Sequence, residues 1–233
     1  MWDHQVAALS GQLRCLRVDM WGCGSSPAPP GEPGFASYAA AVLDAMDARD
    51  AGSFAVVACS MGAYVAWELL RAAPARVTSL TLVGARANAD TDEGRAVRAE
   101  MIQRVERDGV EAILEEYVSK LVSAKSHEEP HITDPLRARI RGWTPEGVIW
   151  ALRAISFRPD STELLGVLRA PTLVVAGAED VFMPAAGQEA MAQAIPGARF
   201  ERFDGCGHLP NLENPPAFND QLLSHLAAAV QQT

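Results

Sequence analysis

Ala58-Cys59-Ser60-Met61-Gly62 sets a serine between small residues at the point where an apolar strand gives way to a helix. Upstream, residues 53–58 read as a short buried strand; downstream, residues 63–71 form a helix apolar on nearly every face. The turn between them is too sharp for bulky neighbours, and it holds the hydroxyl clear of the backbone, where a base can reach it. Small-x-Ser-x-Gly also recurs by chance, so the pentapeptide alone fits plain strand-to-helix packing as well as catalysis.

Two later segments break that tie. Residues 172–176 are a β-branched apolar run followed by Gly177-Ala178-Glu179-Asp180, which delivers a carboxylate just past a strand end. Residues 199–203 read as another strand, and Asp204-Gly205-Cys206-Gly207-His208 delivers an imidazole from the loop after it. Further matching pieces are Asp19-Met20-Trp21-Gly22-Cys23-Gly24-Ser25-Ser26 after an early strand at residues 13–18, and Gly207-His208-Leu209-Pro210-Asn211-Leu212-Glu213 near the end. With these pieces spread over nearly its whole length, the chain resembles the α/β-hydrolase-fold enzymes of the single-domain esterase and enol-lactonase type. The resemblance implies an α/β fold with a mostly parallel sheet flanked by helices and an inserted helical cap. It also implies Ser60 as nucleophile, His208 as general base and then acid, and Asp180 as the residue that orients the imidazole. Glu179 is the competing acid, and Asp180 sits where the resemblance assigns the carboxylate.

The chemistry explains these residue types. A serine hydroxyl is a poor nucleophile at neutral pH, so a hydrogen-bonded imidazole must take its proton as it attacks a carbonyl. A carboxylate behind the ring fixes the tautomer and stabilises the imidazolium.

One expected piece is absent. Members of the family carry, before the segment matching Trp2-Asp3-His4-Gln5, a central strand ending in a His-Gly turn whose amide is half of the oxyanion hole. By the family's strand order it would lie between residues 13–18 and 53–58, so the N-terminal strands are missing and the sheet is expected to have a gap. Three explanations compete: an N-terminally truncated sequence, flanking strands that close up, or a strand supplied by another chain. Truncation is the most economical. The backbone amide of Met61 remains as one oxyanion donor, a second donor has no candidate, and impaired activity is the expectation.

Composition excludes other classes. The 233 residues with 48% hydrophobic content can bury one sizeable core, and the net charge of -9 argues against nucleic-acid or anionic-membrane partners. There is no long apolar run and no secretory pattern, so the cytoplasm is the expected location. Cys15, Cys23, Cys59 and Cys206 have neither metal-like nor disulfide-framework spacing. Three of them should converge near the site, as apolar fillers or as oxidation-sensitive thiols.

Residues 1–85 and 170–233 are expected to form the core and residues 86–169 a mostly helical cap. Val97, Met101 and Val105 repeat at helical spacing, as do Val110, Ile113, Leu114, Tyr117, Val118 and Leu121, and Thr144-Pro145 opens another helix. Trp143, Trp150 and Phe157 could line an acyl pocket or pack between cap helices. His127-Glu128-Glu129-Pro130-His131 spells a zinc-protease pattern, but Pro130 pushes Glu129 out of helical geometry and a solvated loop is expected. Glu213 either anchors a loop or caps the last helix, which begins near Pro215.

Taken together, these readings describe a serine hydrolase without metal or cofactor, acting on a small carboxylic ester or lactone through an acyl-enzyme. Thioesterase, carbon-carbon hydrolase, acyltransferase and perhydrolase chemistry share the same residues. The alternative from another class is a non-catalytic small-molecule-binding protein on the same scaffold.

Overall fold

Strand β3 (Thr172–Gly177) is buried along its whole length, and its neighbours are laid out around it. The computed structural model describes residues 1–29 and 31–231. Among them β1 (Phe54–Cys59), β2 (Val77–Val83), β3 and β4 (Arg199–Phe203) pair in parallel in the order β1-β2-β3-β4. Strands covered on both faces carry no charge: β3 is mostly apolar, and β2 mixes Val and Leu with Thr and Ser. The edge strand β4 carries three charged and two aromatic residues.

The helices follow in chain order: α1 (Asp3–Leu9), α2 (Phe35–Asp47), α3 (Met61–Ala72), α4 (Asp92–Asp108), α5 (Leu114–Leu121), α6 (Ala124–His127), α7 (Pro130–Arg141), α8 (Pro145–Ser156), α9 (Thr162–Leu165), α10 (Ala185–Gln193), α11 (Pro210–Glu213) and α12 (Pro215–Val230). Because side chains alternate across a strand, the sheet supplies two cores. On one face Leu80, Leu82 and Val174 pack with Tyr38 of α2, Trp67 of α3 and Met191 of α10. On the other, Leu173 and Val175 pack with Leu9 of α1 and with Phe218 and Leu222 of α12. Full burial of such an aliphatic side chain contributes about 1.5–3 kcal/mol.

The stretch between β2 and β3 contains helices and no strand. Its apolar residues join the cores of the sheet, Trp150 and Ala154 on one face and Val118 and Ile140 on the other. A buried ion group ties it down: the Asp90 carboxylate accepts from Arg98 Nε at 2.8 Å and pairs with Arg158 Nη1 at 3.3 Å, and the Arg158 guanidinium lies 4.5 Å over the Tyr64 ring of α3. Removing one partner of a pair this deeply buried leaves an uncompensated charge.

Two expectations are corrected. Residues 13–18 form no strand. Residues 14–18 make no backbone-to-backbone hydrogen bond among the described residues, and Leu13, Leu16 and Val18 are exposed. A strand is held by a paired edge and a covered face; this run has neither, while β1, among the described residues, pairs only with β2. The two flanking runs therefore do not close up. The second correction concerns residues 127–131, where the expected solvated loop shrinks to the exposed, non-helical pair Glu128 and Glu129, with helix on both sides. Helix α6 ends at His127, Glu129 is extended at φ -101° and ψ 102°, and Pro130 opens α7 at a position that needs no amide. The two histidines sit on different helices.

His225 of α12 is buried, and its Nε2 has no partner among the described residues. Burial, aided by the Arg199 charge, pushes its pKa below the ordinary 6.5. The unfolded chain therefore binds the extra proton first, and stability is lost as pH falls through about 6.5. Urea midpoints measured at pH 7.5 and 5.5 should drop less in His225→Leu than in wild type; equal drops would contradict this.

Candidate active site

All three proposed side chains leave the same edge of the sheet. The register pairs Cys59 with Val83, Val83 with Val175 and Gly177 with Phe203, so the loops after β1, β3 and β4 open side by side at the carboxyl ends of the strands.

Ser60 directly follows β1 at φ 52° and ψ -117°, a left-handed conformation that a non-glycine residue adopts at a cost of about 1–3 kcal/mol. Its amide donates to the Val83 carbonyl at 2.8 Å, and its own carbonyl accepts from Ala63 as α3 begins. Met61 is the first residue of α3, where helical geometry offers the amide no acceptor four residues back.

Asp180 lies three residues past β3. Its Oδ1 accepts from the amides of Phe182 and Met183, each at 2.9 Å, and its Oδ2 lies 2.7 Å from Nδ1 of His208. Both side chains are almost fully buried, at 0% and 1% exposure, which makes this contact a desolvated pair. A carboxylate can only accept, so the proton between them sits on Nδ1 and leaves Nε2 as the free base. The neighbouring Glu179 is exposed and uses only its amide, on the Cys206 carbonyl.

The histidine ring rests on the strand that also holds the serine. A Cβ at Gly84 would stand 2.7 Å from His208 Cε1, and Gly84 has φ +55°. Only glycine fits there. Ser60 and His208 thus flank the Val83–Gly84 step, with no hydrogen bond between hydroxyl and ring among the described residues.

Several contacts escaped sequence reasoning. Phe182 meets the His208 ring edge-on at 5.2 Å, and Tyr117 of α5 stacks behind Phe182 at 5.7 Å and against Trp143 at 6.1 Å. Buried Gln188 receives the Ala85 amide and donates to the Met183 carbonyl, bracing the acid loop. Phe182, two residues after the acid, had a positional signal; Tyr117 and Gln188 had none. Of the aromatic residues proposed for an acyl pocket, Trp150 packs on Trp21 and Phe35, and Phe157 is 78% exposed.

Three of the thiols, Cys23, Cys59 and Cys206, are pushed toward the protonated form. Burial and the nearby Asp180 charge push Cys59 far up, and burial raises Cys206 to about 11. Burial together with Asp19 raises Cys23 to about 11, and Cys15 is exposed. Protonated, enclosed thiols are poor nucleophiles and slow to oxidise.

Residues 1–215 match the family described as alpha/beta hydrolase fold. The chain belongs to that family. This hydrolase-fold chain is 28% identical over 226 residues to a pimeloyl-[acyl-carrier protein] methyl ester esterase of Nitrosomonas europaea, covering 94% of the chain and 87% of that protein. It is 29% identical to 3-oxoadipate enol-lactonase 1 of Acinetobacter baylyi over 232 residues, 99% of the chain and 85% of the relative. A solved structure of a thermophilic esterase from Thermogutta terrifontis, with malate bound, superimposes with a TM-score of 0.93 at 31% identity, covering 98% of this chain and 85% of that one.

Gly84→Ala should both strain the backbone and push the imidazole off its seat. It is expected to lower stability by about 1–3 kcal/mol in urea unfolding, and a variant as stable as wild type would contradict the close packing.

Proposed function

We propose that this hydrolase cleaves a small carboxylic ester or lactone through an acyl-enzyme on Ser60. The observation that carries the reading is the buried Asp180–His208 pair, 2.7 Å long, on the same sheet rim as a serine in a strained turn. The relatives named esterase and enol-lactonase support the ester and lactone class.

In the first half-reaction the Ser60 hydroxyl adds to the substrate carbonyl while His208 Nε2 takes its proton. The imidazolium that forms is stabilised by Asp180, and the Met61 amide donates to the oxyanion. Collapse of the tetrahedral species breaks the carbon–oxygen bond, and His208 returns the proton to the leaving alkoxide. In a lactone that alkoxide stays tethered to the acyl group. Water then adds to the acyl-enzyme by the same route in reverse and frees the acid and Ser60. Residues 86–169 act as the cap over this centre and choose the substrate. The four free thiols accord with a cytoplasmic setting.

The Met61 amide is the oxyanion donor this reading assigns, and removing such a donor costs on the order of 10² to 10³ in turnover. The Ser60 hydroxyl and the His208 ring make no hydrogen bond to each other among the described residues, which favours a second reading, a non-catalytic binder of small molecules on the same scaffold.

A panel of p-nitrophenyl esters separates the two. Slow turnover is expected, abolished in Ser60→Ala and lowered on the order of 10⁴ in Asp180→Asn. Turnover that survives Ser60→Ala would refute the serine mechanism, and no turnover by wild type would favour the binder. A fluorophosphonate probe should label wild type and not Ser60→Ala; equal labelling of the two would contradict Ser60 as the nucleophile.

A further inference from the structure

One carboxylate joins the cap to the loop that carries the histidine. Oε1 of Glu213 accepts from the Gly207 amide at 2.8 Å, and Oε2 accepts from the Ser123 amide at 2.8 Å. Gly207 immediately precedes His208. Ser123, between α5 and α6, caps α6 by accepting from Ser126. Neither amide has another acceptor among the described residues. Helix α12 does not need Glu213, because the Asn214 side chain caps it by accepting from Ala217.

The surfaces joined by Glu213 are in van der Waals contact. A Cβ at Gly207 would stand 2.5 Å from both the Val122 carbonyl carbon and the Ser123 nitrogen. On its other side the histidine loop abuts the end of β3: a Cβ at Gly177 would stand 1.8 Å from the Gly207 carbonyl oxygen, and the Glu179 amide donates to the Cys206 carbonyl. Residues 206–208 are therefore gripped between the acid-bearing strand and the cap, and on the cap side the hydrogen bonds come from a single side chain, Glu213.

We infer that Glu213 is a positioning residue that makes the placement of His208 against Asp180 depend on the cap being seated. Ion-to-amide hydrogen bonds are roughly twice as strong as neutral ones, so one carboxylate serves two otherwise orphaned donors. A glutamine cannot replace it: its carbonyl satisfies one amide and its NH₂ faces the other donor to donor. Without the clamp the Gly207 step is free to shift, and a displacement near 1 Å in a reacting group costs on the order of 10²-fold in rate.

The kinetic part of this inference rests on the serine-hydrolase reading; the structural part does not. The test is the downfield Nδ1–H proton resonance of His208 in the full-length protein, with ester turnover measured beside it. Glu213→Gln should shift or broaden that resonance well below the melting temperature. It should also lower kcat about 10- to 100-fold with a smaller change in KM. Glu213→Asp, too short to span both amides, serves if the glutamine variant does not fold. Ile195→Ala, in the core beside α10 and away from the histidine loop, sets what lost stability alone does, and should leave the resonance in place. An unmoved resonance in a folded Glu213 variant overturns the inference whatever the activity. Ser60→Ala keeps the two failures apart, since turnover surviving it condemns the catalytic reading and leaves the resonance to judge the clamp.

Discussion

The contact between Asp180 and His208 is the interaction on which the site depends. Both side chains are withdrawn from water, and a buried carboxylate without partners would cost several kcal/mol. Asp180 is satisfied three times over, by two amides of its own loop and by the imidazole. That loop is in turn braced by Gln188, which links it to the end of β2. The imidazole is thereby held in a hydrogen-bonded frame built largely from backbone amides.

Parallel pairing places the loops. Because the strands run in one direction with aligned carboxyl ends, three loops far apart in the chain open on one rim, where Val83, the last residue of β2, bonds Ser60 and the following Gly84 abuts the His208 ring. The helices between β2 and β3 cover the chain's cores and reach the rim through Tyr117, Phe182 and the Ser123–Glu213 bond. Through Glu213 the His208 loop is thus hydrogen-bonded to that helical layer.

Residues 13–18 mark the limit of local pattern. Leu13, Leu16 and Val18 give the run strand-like composition, yet a ladder needs a partner within hydrogen-bonding distance, and β1, among the described residues, is bonded on one side only. Composition describes what a segment can do when paired; whether a partner is there is a property of the whole fold. The break at residues 127–131 is the opposite case, because Pro130 acts on its immediate neighbours and its effect on Glu129 needs no tertiary information.

The amino-acid sequence by itself determined the strands β1, β3 and β4, the sharp turn at Ser60, and the delivery of Asp180 and His208 from loops after strand ends, since each follows from local apolar runs and small residues. Only the tertiary structure decided that Asp180 rather than Glu179 meets the imidazole, that Phe182 and Tyr117 wall it, and that Glu213 bonds two loops at once. Apart from the bond between Glu213 and Gly207, these are contacts between segments tens of residues apart, formed when the sheet and helices close on one another, and no local periodicity encodes which side chains will then meet.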